Sequence, residues 1–109
     1  MMANSPHYAL EKLLQAVDTL VTGTGSIQER LRHAASINLI PTHPEDIPYD
    51  DLRRIFAGIK DDVGFEPAKG SEGKIAATMK ITNDEDAQAI ARRILNLFLE
   101  LDDRLKRRG

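Results

Sequence analysis

The sequence predicts an all-α fold, a small helical bundle of four main helices plus one short helix, with the long C-terminal helix central. Apolar residues recur at helical spacing along most of the 109 residues. The stretches between them carry the serine, asparagine, proline and glycine residues that typically start and end helices. Only five residues are aromatic, so the core must be built mainly from aliphatic side chains. The length predicts a single helical domain, residues 1–109.

A long amphipathic helix is predicted over residues 83–108. Asn83 can cap its free amide groups, and the three acidic residues that follow suit the positive end of the helix dipole. Its main apolar row has alternating gaps of four and three residues and consists of Ala87, Ala91, Ile94, Phe98, Leu101 and Leu105. A second apolar face beside this row consists of Ile90, Leu95, Leu97 and Leu99. Because three shorter helices offer little surface to cover both faces, we interpret the second face as the candidate interface.

The first helix is predicted over residues 7–22. Ser5 can accept hydrogen bonds from the free amides, and Pro6 suits the first turn because its missing N–H would be unpaired there. The predicted stripe of this helix consists of Leu10, Leu14, Val17 and Val21, with Leu13 and Leu20 beside it. Gly23 is expected to end the helix in a left-handed conformation.

The second helix should run antiparallel to the first, because only residues 23–25 separate them. Ser26 and Glu29 have the spacing of a capping box, in which the hydroxyl accepts from the Glu29 amide and the carboxylate reaches back to the Ser26 amide. Proline cannot continue a helix interior, so this helix should end before Pro41.

The connector of residues 41–48 contains three prolines. They favour extended backbone, although residues 44–46 can form a single helical turn. Pro48 is expected at the start of the third helix and Gly64 at its end. The predicted buried stripe of this helix consists of Leu52, Ile55, Phe56, Ile59 and Val63.

Residues 64–73 contain three glycines and one proline, and we predict a mobile loop there. The propensities of residues 74–81 suit either a helix or a strand. A short helix is predicted, because the rest of the chain offers no partner for a strand.

Five segments together resemble a group of short, uncharacterised bacterial proteins of about this length. The segments are Ala9-Leu10-Glu11-Lys12-Leu13, then Gly23-Thr24-Gly25-Ser26-Ile27-Gln28-Glu29-Arg30-Leu31, then Glu45-Asp46-Ile47-Pro48 ahead of Leu52, Arg53 and Phe56, then Ile75-Ala76-Ala77-Thr78, then Asp84-Glu85-Asp86-Ala87. The resemblance covers most of the chain and rests on capping and packing residues. It implies a small bacterial helical protein and brings no activity or catalytic residue with it.

The composition excludes several classes of protein. A formal net charge of -2 argues against nucleic-acid binding over the whole surface, which needs concentrated lysine and arginine. No run approaches the roughly 20 apolar residues of a membrane span. Residues 1–6 lack the basic and apolar regions of a signal peptide. The absence of cysteine excludes disulfides and thiolate metal sites. A cytoplasmic location away from membranes is therefore expected.

The acidic residues leave one enzymatic alternative open. Residues 45–66 hold seven carboxylates against three basic residues. Glu100 and Asp103 share one helix face, as in the magnesium sites of all-helical nucleotide pyrophosphatases, but the Glu-x-x-Glu pairs of those enzymes do not occur. The three histidines also lack metal-site spacing. We assign no metal, cofactor or catalytic residue, and keep a metal-dependent nucleotide-binding or hydrolysing protein as the alternative.

Four basic residues close the last helix: Arg104, Lys106, Arg107 and Arg108. They complement the negative end of the helix dipole and are candidate contacts for an anion or a partner. A nucleic-acid-associated regulator that uses this tail is a second alternative. A helix-turn-helix is disfavoured, because the connector between the second and third helices is too long for the usual turn.

The sequence therefore favours a non-enzymatic function, that of a small interaction or structural module. We expect the chain to form a homo-oligomer, or to bind another protein, through the apolar face of its C-terminal helix.

Overall fold

Five α-helices and two short helical turns form the fold in the computed structural model, which describes residues 5–65 and 72–108. In chain order the elements are α1 (Pro6–Thr22), α2 (Ile27–Ala34), a π-turn (Ala35–Leu39), a 3₁₀ turn (Pro44–Asp46), α3 (Asp50–Val63), α4 (Glu72–Ile81) and α5 (Asp84–Arg108). The described residues contain no strand, so the predicted all-α class is confirmed. The number of helices agrees with the prediction of four main helices plus a short one.

The C-terminal helix α5 packs against α1, α2 and α3 and is central, as predicted. Asn83 fixes its start, because its Oδ1 accepts a hydrogen bond of 2.7 Å from the amide of Asp86. The residues that α5 buries repeat at gaps of three and four: Ala87, Ile90, Ile94, Leu97 and Leu101. This stripe combines parts of both predicted apolar faces, whereas Phe98 and Leu105 are only partly buried. One chain therefore covers α5 on more than one side.

Helix α1 begins one residue earlier than predicted, at Pro6. Ser5 precedes it as N-cap, but no amide in the described residues donates the predicted hydrogen bond to its hydroxyl. The carbonyl of Ser5 instead accepts from the amide of Tyr8 at 2.9 Å. The expectation that Gly23 is left-handed is wrong, because its backbone is extended at φ -67° and ψ 160°. Glycine suits this position by its size, since a Cβ there would lie 2.5 Å from the carbonyl oxygen of Thr19.

Helix α2 begins at the predicted cap, where Ser26 Oγ accepts from the Glu29 amide at 3.1 Å. One residue later, Arg30 Nη1 donates to the carbonyl of Leu20 at 2.6 Å and so ties the first turn of α2 to the end of α1. The helix then widens into the π-turn, which lets the chain take one extra residue into a helical turn. Both α2 and the π-turn pack against α1, as the short linker predicts.

Helix α3 starts at Asp50, after the predicted single turn of the connector. The expectation that Pro48 begins this helix is wrong, because the extended backbone of Tyr49 separates the proline from it. The apolar residues that α3 buries are Leu52, Phe56, Ile59 and Val63. The prediction that Ile55 is buried with them is also wrong. Ile55 is 44% exposed, because it lies at the edge of the contact with α5 and lines a groove there.

Gly64 ends α3 as predicted, in the left-handed conformation at φ 98°. Helix α4 confirms the helical prediction for residues 74–81 and starts earlier, at Glu72. It packs on α2 and α3 and buries Ile75 and Met79. The predicted loop of residues 64–73 lies mostly outside the described residues, and its last two residues belong to α4.

The buried apolar side chains of all five helices form one core. Among the helices in the described part of the chain, none combines the length and the hydrophobicity that crossing a membrane requires.

Candidate functional site

An open apolar groove runs between α1 and α5, beside the start of α2. It encloses about 290 Å³ and is lined by Val17, Leu20, Val21, Ile27, Gln88, Ala91, Arg92 and Leu95. The C-terminal half of α1 therefore lies beside the N-terminal half of α5. Because α1 also contacts the 3₁₀ turn, and Tyr49 after that turn contacts Arg104 near the end of α5, the two helices run antiparallel. Closed ligand pockets typically hold roughly 300–1,000 Å³. The small volume and the open shape suit contact with another helix better than enclosure of a small molecule.

Exposed apolar side chains extend this groove at one end and along its rim. Leu14 lies one turn before Val17 and is 50% exposed, and Leu99 lies one turn after Leu95 and is 52% exposed. Val21, on the rim, is 74% exposed. We call Leu14, Val17, Val21, Leu95 and Leu99 the α1–α5 strip. A single exposed leucine is ordinary, whereas a contiguous apolar strip across two neighbouring helices is typical of an interaction surface.

The structure divides the four predicted interface residues into two pairs. Leu95 and Leu99 belong to the α1–α5 strip. Ile90 and Leu97 are only 7% and 2% exposed, so a partner cannot reach them in the folded chain. The expectation that shorter helices leave this whole face uncovered is wrong for these two residues, because α5 has neighbours on several sides.

The α1 half of the strip comes from the apolar stripe that the sequence predicts for this helix. The residues that α1 buries are instead Ala9, Leu13, Ala16 and Leu20. This row has the same alternation of four and three residues, but two of its members are alanines. Alanine allows close approach of a neighbouring helix, so the stripe with the smaller side chains turned inward and Leu14 and Val21 turned outward. The alternative row was the signal that could have indicated this.

Arg104, the first predicted basic contact, is held by two carboxylates. It donates from Nη1 and Nη2 to Asp51 of α3 at 2.8 and 2.6 Å, and from Nε to Glu100 at 2.9 Å. Its guanidinium also lies 5.1 Å from the ring centre of Tyr49. The hydrogen bonds from Arg104 lower the pKa of Asp51 from 3.8 to about 2. Arg104 therefore joins α5 to α3.

Lys106 and Arg107 form ion pairs one turn back along α5. Lys106 Nζ lies 2.9 Å from Asp102, and Arg107 Nη2 lies 2.6 Å from Asp103. The bond with Asp102 raises the pKa of Lys106. Arg108 is exposed at the end of the helix. Arg104, Arg107 and Arg108 line one open hollow together with Tyr49. Because carboxylates pair with Arg104 and Arg107, the case for an anion site there is weakened.

The carboxylates that suggested a metal site do not converge. Glu100 and Asp103 contact arginine side chains, as described above. In the acidic segment, Asp46 is buried in the 3₁₀ turn, while its other described carboxylates lie exposed in the connector and at the two ends of α3: Glu45, Asp50, Asp51, Asp61 and Asp62. Glu66 lies outside the described residues, and the exposed His7, His33 and His43 lie on different elements. Across residues 5–65 and 72–108, histidine and carboxylate side chains form no group of three that can hold a metal ion.

Two ion pairs mark the ends of the contact between α3 and α5. Asp51 pairs with Arg104, and Asp62 pairs with Arg93. Eleven residues separate the paired positions in each helix, and their order is reversed, so the two helices are antiparallel. Between the pairs lies a groove of about 480 Å³ in which Ile55 is exposed. The groove is rimmed by groups that already neutralise one another.

Lys60 is a buried charge that the sequence did not indicate. It is 3% exposed, and its Nζ donates to the carbonyl of Thr42 at 2.7 Å. The ammonium lies 4.0 Å from the ring centre of Phe65 and 5.4 Å from that of Phe56. Lys60 therefore joins α3 to the connector. The available signal was its position four residues after Phe56 and three before Val63, within the buried stripe.

Burial lowers the pKa of Lys60, and the charges of Glu45 and Asp46 oppose this effect. Because folded Lys60 releases its proton more readily than unfolded Lys60, raising the pH stabilises the fold until both states are neutral. The free energy of unfolding of the wild type, relative to that of Lys60→Met, should rise between neutral pH and the ordinary lysine value of 10.5. Urea unfolding at a series of pH values measures this difference.

Lys106→Met is the matched control for this measurement. The raised pKa of Lys106 predicts the opposite sign, with the wild type losing stability relative to this variant as the pH rises past 10.5. A pH dependence of Lys60→Met that matches the wild type would contradict the buried position of the ammonium.

Comparison of the chain with protein-family models, with curated proteins and with solved structures found no match.

Proposed function

We propose that this protein is a non-enzymatic interaction module that self-associates through the α1–α5 strip. The observation that carries the proposal is the exposure of Leu14, Val21 and Leu99, which are 50%, 74% and 52% exposed on two neighbouring helices. Apolar surface that leaves water contributes roughly 25 cal/mol for each Å² buried. Covering the strip with a matching apolar surface is therefore favourable.

A second copy of the chain is the occupant that the charges beside the strip favour. Asp18 is exposed on α1, and Arg92 is exposed on α5 beside the same groove. A surface with an acidic group on one side and a basic group on the other is complementary to itself after a half-turn. An unrelated partner would need this charge pattern by chance, whereas a second copy has it automatically.

The two alternative functions have less support. A metal-dependent nucleotide protein would need Glu100 and Asp103, but both contact arginine side chains. A nucleic-acid-associated regulator would need a basic surface, but Arg104 is paired with Asp51 and Glu100. Using either set of groups would require breaking ion pairs within the chain.

Light scattering at micromolar concentration tests the proposal. The wild type should have twice the single-chain mass of 12.1 kDa. Leu99→Asp should raise the Kd for self-association by about tenfold or more, because it places an unpaired charge in the apolar contact. Its circular dichroism should not change, since Leu99 is half-exposed in the single chain.

Ile81→Asp is the matched control, because Ile81 is 87% exposed on α4, outside the strip. This variant should keep the mass of the wild type. A wild type with the mass of one chain at all accessible concentrations would contradict the proposal. Equal dissociation by Leu99→Asp and Ile81→Asp would place the contact elsewhere.

A further inference from the structure

The charges beside the α1–α5 strip also indicate how two copies pair. We infer that the copies are related by a twofold axis parallel to α1 and α5, so that α1 of each copy lies over α5 of the other. This inference rests on the proposed self-association and adds its geometry, including an ion pair between Asp18 of one copy and Arg92 of its partner.

The levels of the side chains along the helices support this pair. Val17 and Val21 line one groove together with Gln88, Arg92 and Leu95, so Asp18, which lies between the two valines, is within about one helical turn of the level of Arg92. A twofold axis parallel to the helices places α1 of one copy over α5 of its partner. It does not change the position of any residue along the direction of the helices. Asp18 therefore arrives over the partner's Arg92, and both side chains are exposed in the single chain.

The apolar residues match in the same arrangement. Leu14 is four residues from Asp18, or about 6 Å at 1.5 Å per residue. Since α1 and α5 are antiparallel, this displacement points along α5 toward the partner's Leu95 and Leu99. These residues are three and seven positions beyond Arg92, about 4.5 and 10.5 Å along the helix. The Leu14 side chain thus falls between the two leucines, as a knob enters a hole between helices.

The other twofold arrangement is electrostatically unfavourable. An axis perpendicular to the helices places α1 over the partner's α1 and α5 over the partner's α5. With the axis at the level of Asp18 and Arg92, Asp18 would face the partner's Asp18, and Arg92 would face the partner's Arg92. Like charges across an interface suppress association, so the charges select the parallel axis.

Two charge-reversal variants test the arrangement, each alone and in an equimolar mixture. Asp18→Arg and Arg92→Asp should each raise the Kd of their own dimer roughly five- to thirtyfold at low salt, because each replaces two attractive contacts by two repulsive ones. In the mixture the two changes compensate at both contacts. The mixed dimer should therefore associate within about threefold of the wild-type Kd. High salt should reduce these differences.

Cysteine pairs supply a second readout, since the chain has no cysteine of its own. Asp18→Cys mixed with Arg92→Cys should form a disulfide-linked dimer on oxidation, and neither variant alone should do so. Cross-linking of Asp18→Cys with itself, or a mixture of the two charge-reversal variants that stays as weak as each variant alone, would overturn the arrangement and leave self-association intact. A wild type that does not associate would overturn the proposed function instead.

Discussion

Replacement of Leu97 by aspartate should lower the free energy of unfolding by roughly 4–6 kcal/mol, through lost core packing and a buried unpaired charge. Leu97 is 2% exposed on the inner stripe of α5. A domain of this size has a total stability of about 5–15 kcal/mol, so the variant should be close to unfolding at room temperature. Circular dichroism and urea unfolding measure the loss.

Leu99→Asp is the control, because Leu99 lies two residues along the same helix and is 52% exposed. At a concentration where the wild type is monomeric, its free energy of unfolding should fall by only about 1–2 kcal/mol, from partial loss of apolar burial and lower helix propensity. A folded monomeric Leu97→Asp would show that Leu97 belongs to an interface and not to the core, which would restore the four-residue face expected from the sequence.

Gly64→Ala should lower the free energy of unfolding by roughly 2–4 kcal/mol, the sum of a left-handed alanine and overpacking. Gly64 has a φ of 98°, which side chains rarely adopt. A Cβ there would lie 2.9 Å from the carbonyl oxygen of Lys74 and 3.2 Å from the Cα of Ile75. Because both atoms are backbone, α4 would have to move away from the end of α3. Thermal unfolding measures the loss.

Gly73→Ala is the matched control, since this glycine lies in α4 and a Cβ there meets no atom within 4 Å. Alanine is the better helix former, so the change should be neutral or stabilising by about 0.5 kcal/mol. Equal losses from the two substitutions would mean that α4 does not pack on the end of α3 as described.

Helix ends were predictable from the sequence because they depend on chemistry within a few residues. Asn83 and Ser26 cap α5 and α2, and Gly64 closes α3, each through contacts with near neighbours in the chain. Where the prediction of an end was wrong, at Gly23 and Pro48, the residue still lies within two positions of the boundary. At Gly23 the backbone conformation differs from the prediction, and at Pro48 the first residue of the helix differs. Both depend on the neighbouring elements.

Which face of each helix lies against the core was harder to predict, because more than one row of apolar residues has helical spacing. In α1 the row with two alanines faces the core and the row with Leu14 and Val21 faces outward, a choice made by close approach to α5 and α2. The spacing of Lys60 places it on the buried side of α3, but the acceptor for its ammonium could not be predicted, because the carbonyl of Thr42 is eighteen residues away. The candidate surface followed from these choices and was visible in the sequence only for Leu95 and Leu99.

The two ion pairs between α3 and α5 favour one register of the two helices. Because Asp51 and Asp62 are spaced like Arg93 and Arg104, sliding one helix along the other by a single turn, about 5.4 Å, separates both pairs at once. Intermediate positions gain nothing, so the helices have one register at which the charges match. A one-residue insertion between Arg93 and Arg104 would make the spacing of the two arginines differ from that of Asp51 and Asp62. Only one of the two ion pairs could then form. An insertion between Arg93 and Arg104 should therefore cost the fold one of these ion pairs, whereas an insertion beyond Arg104 keeps both.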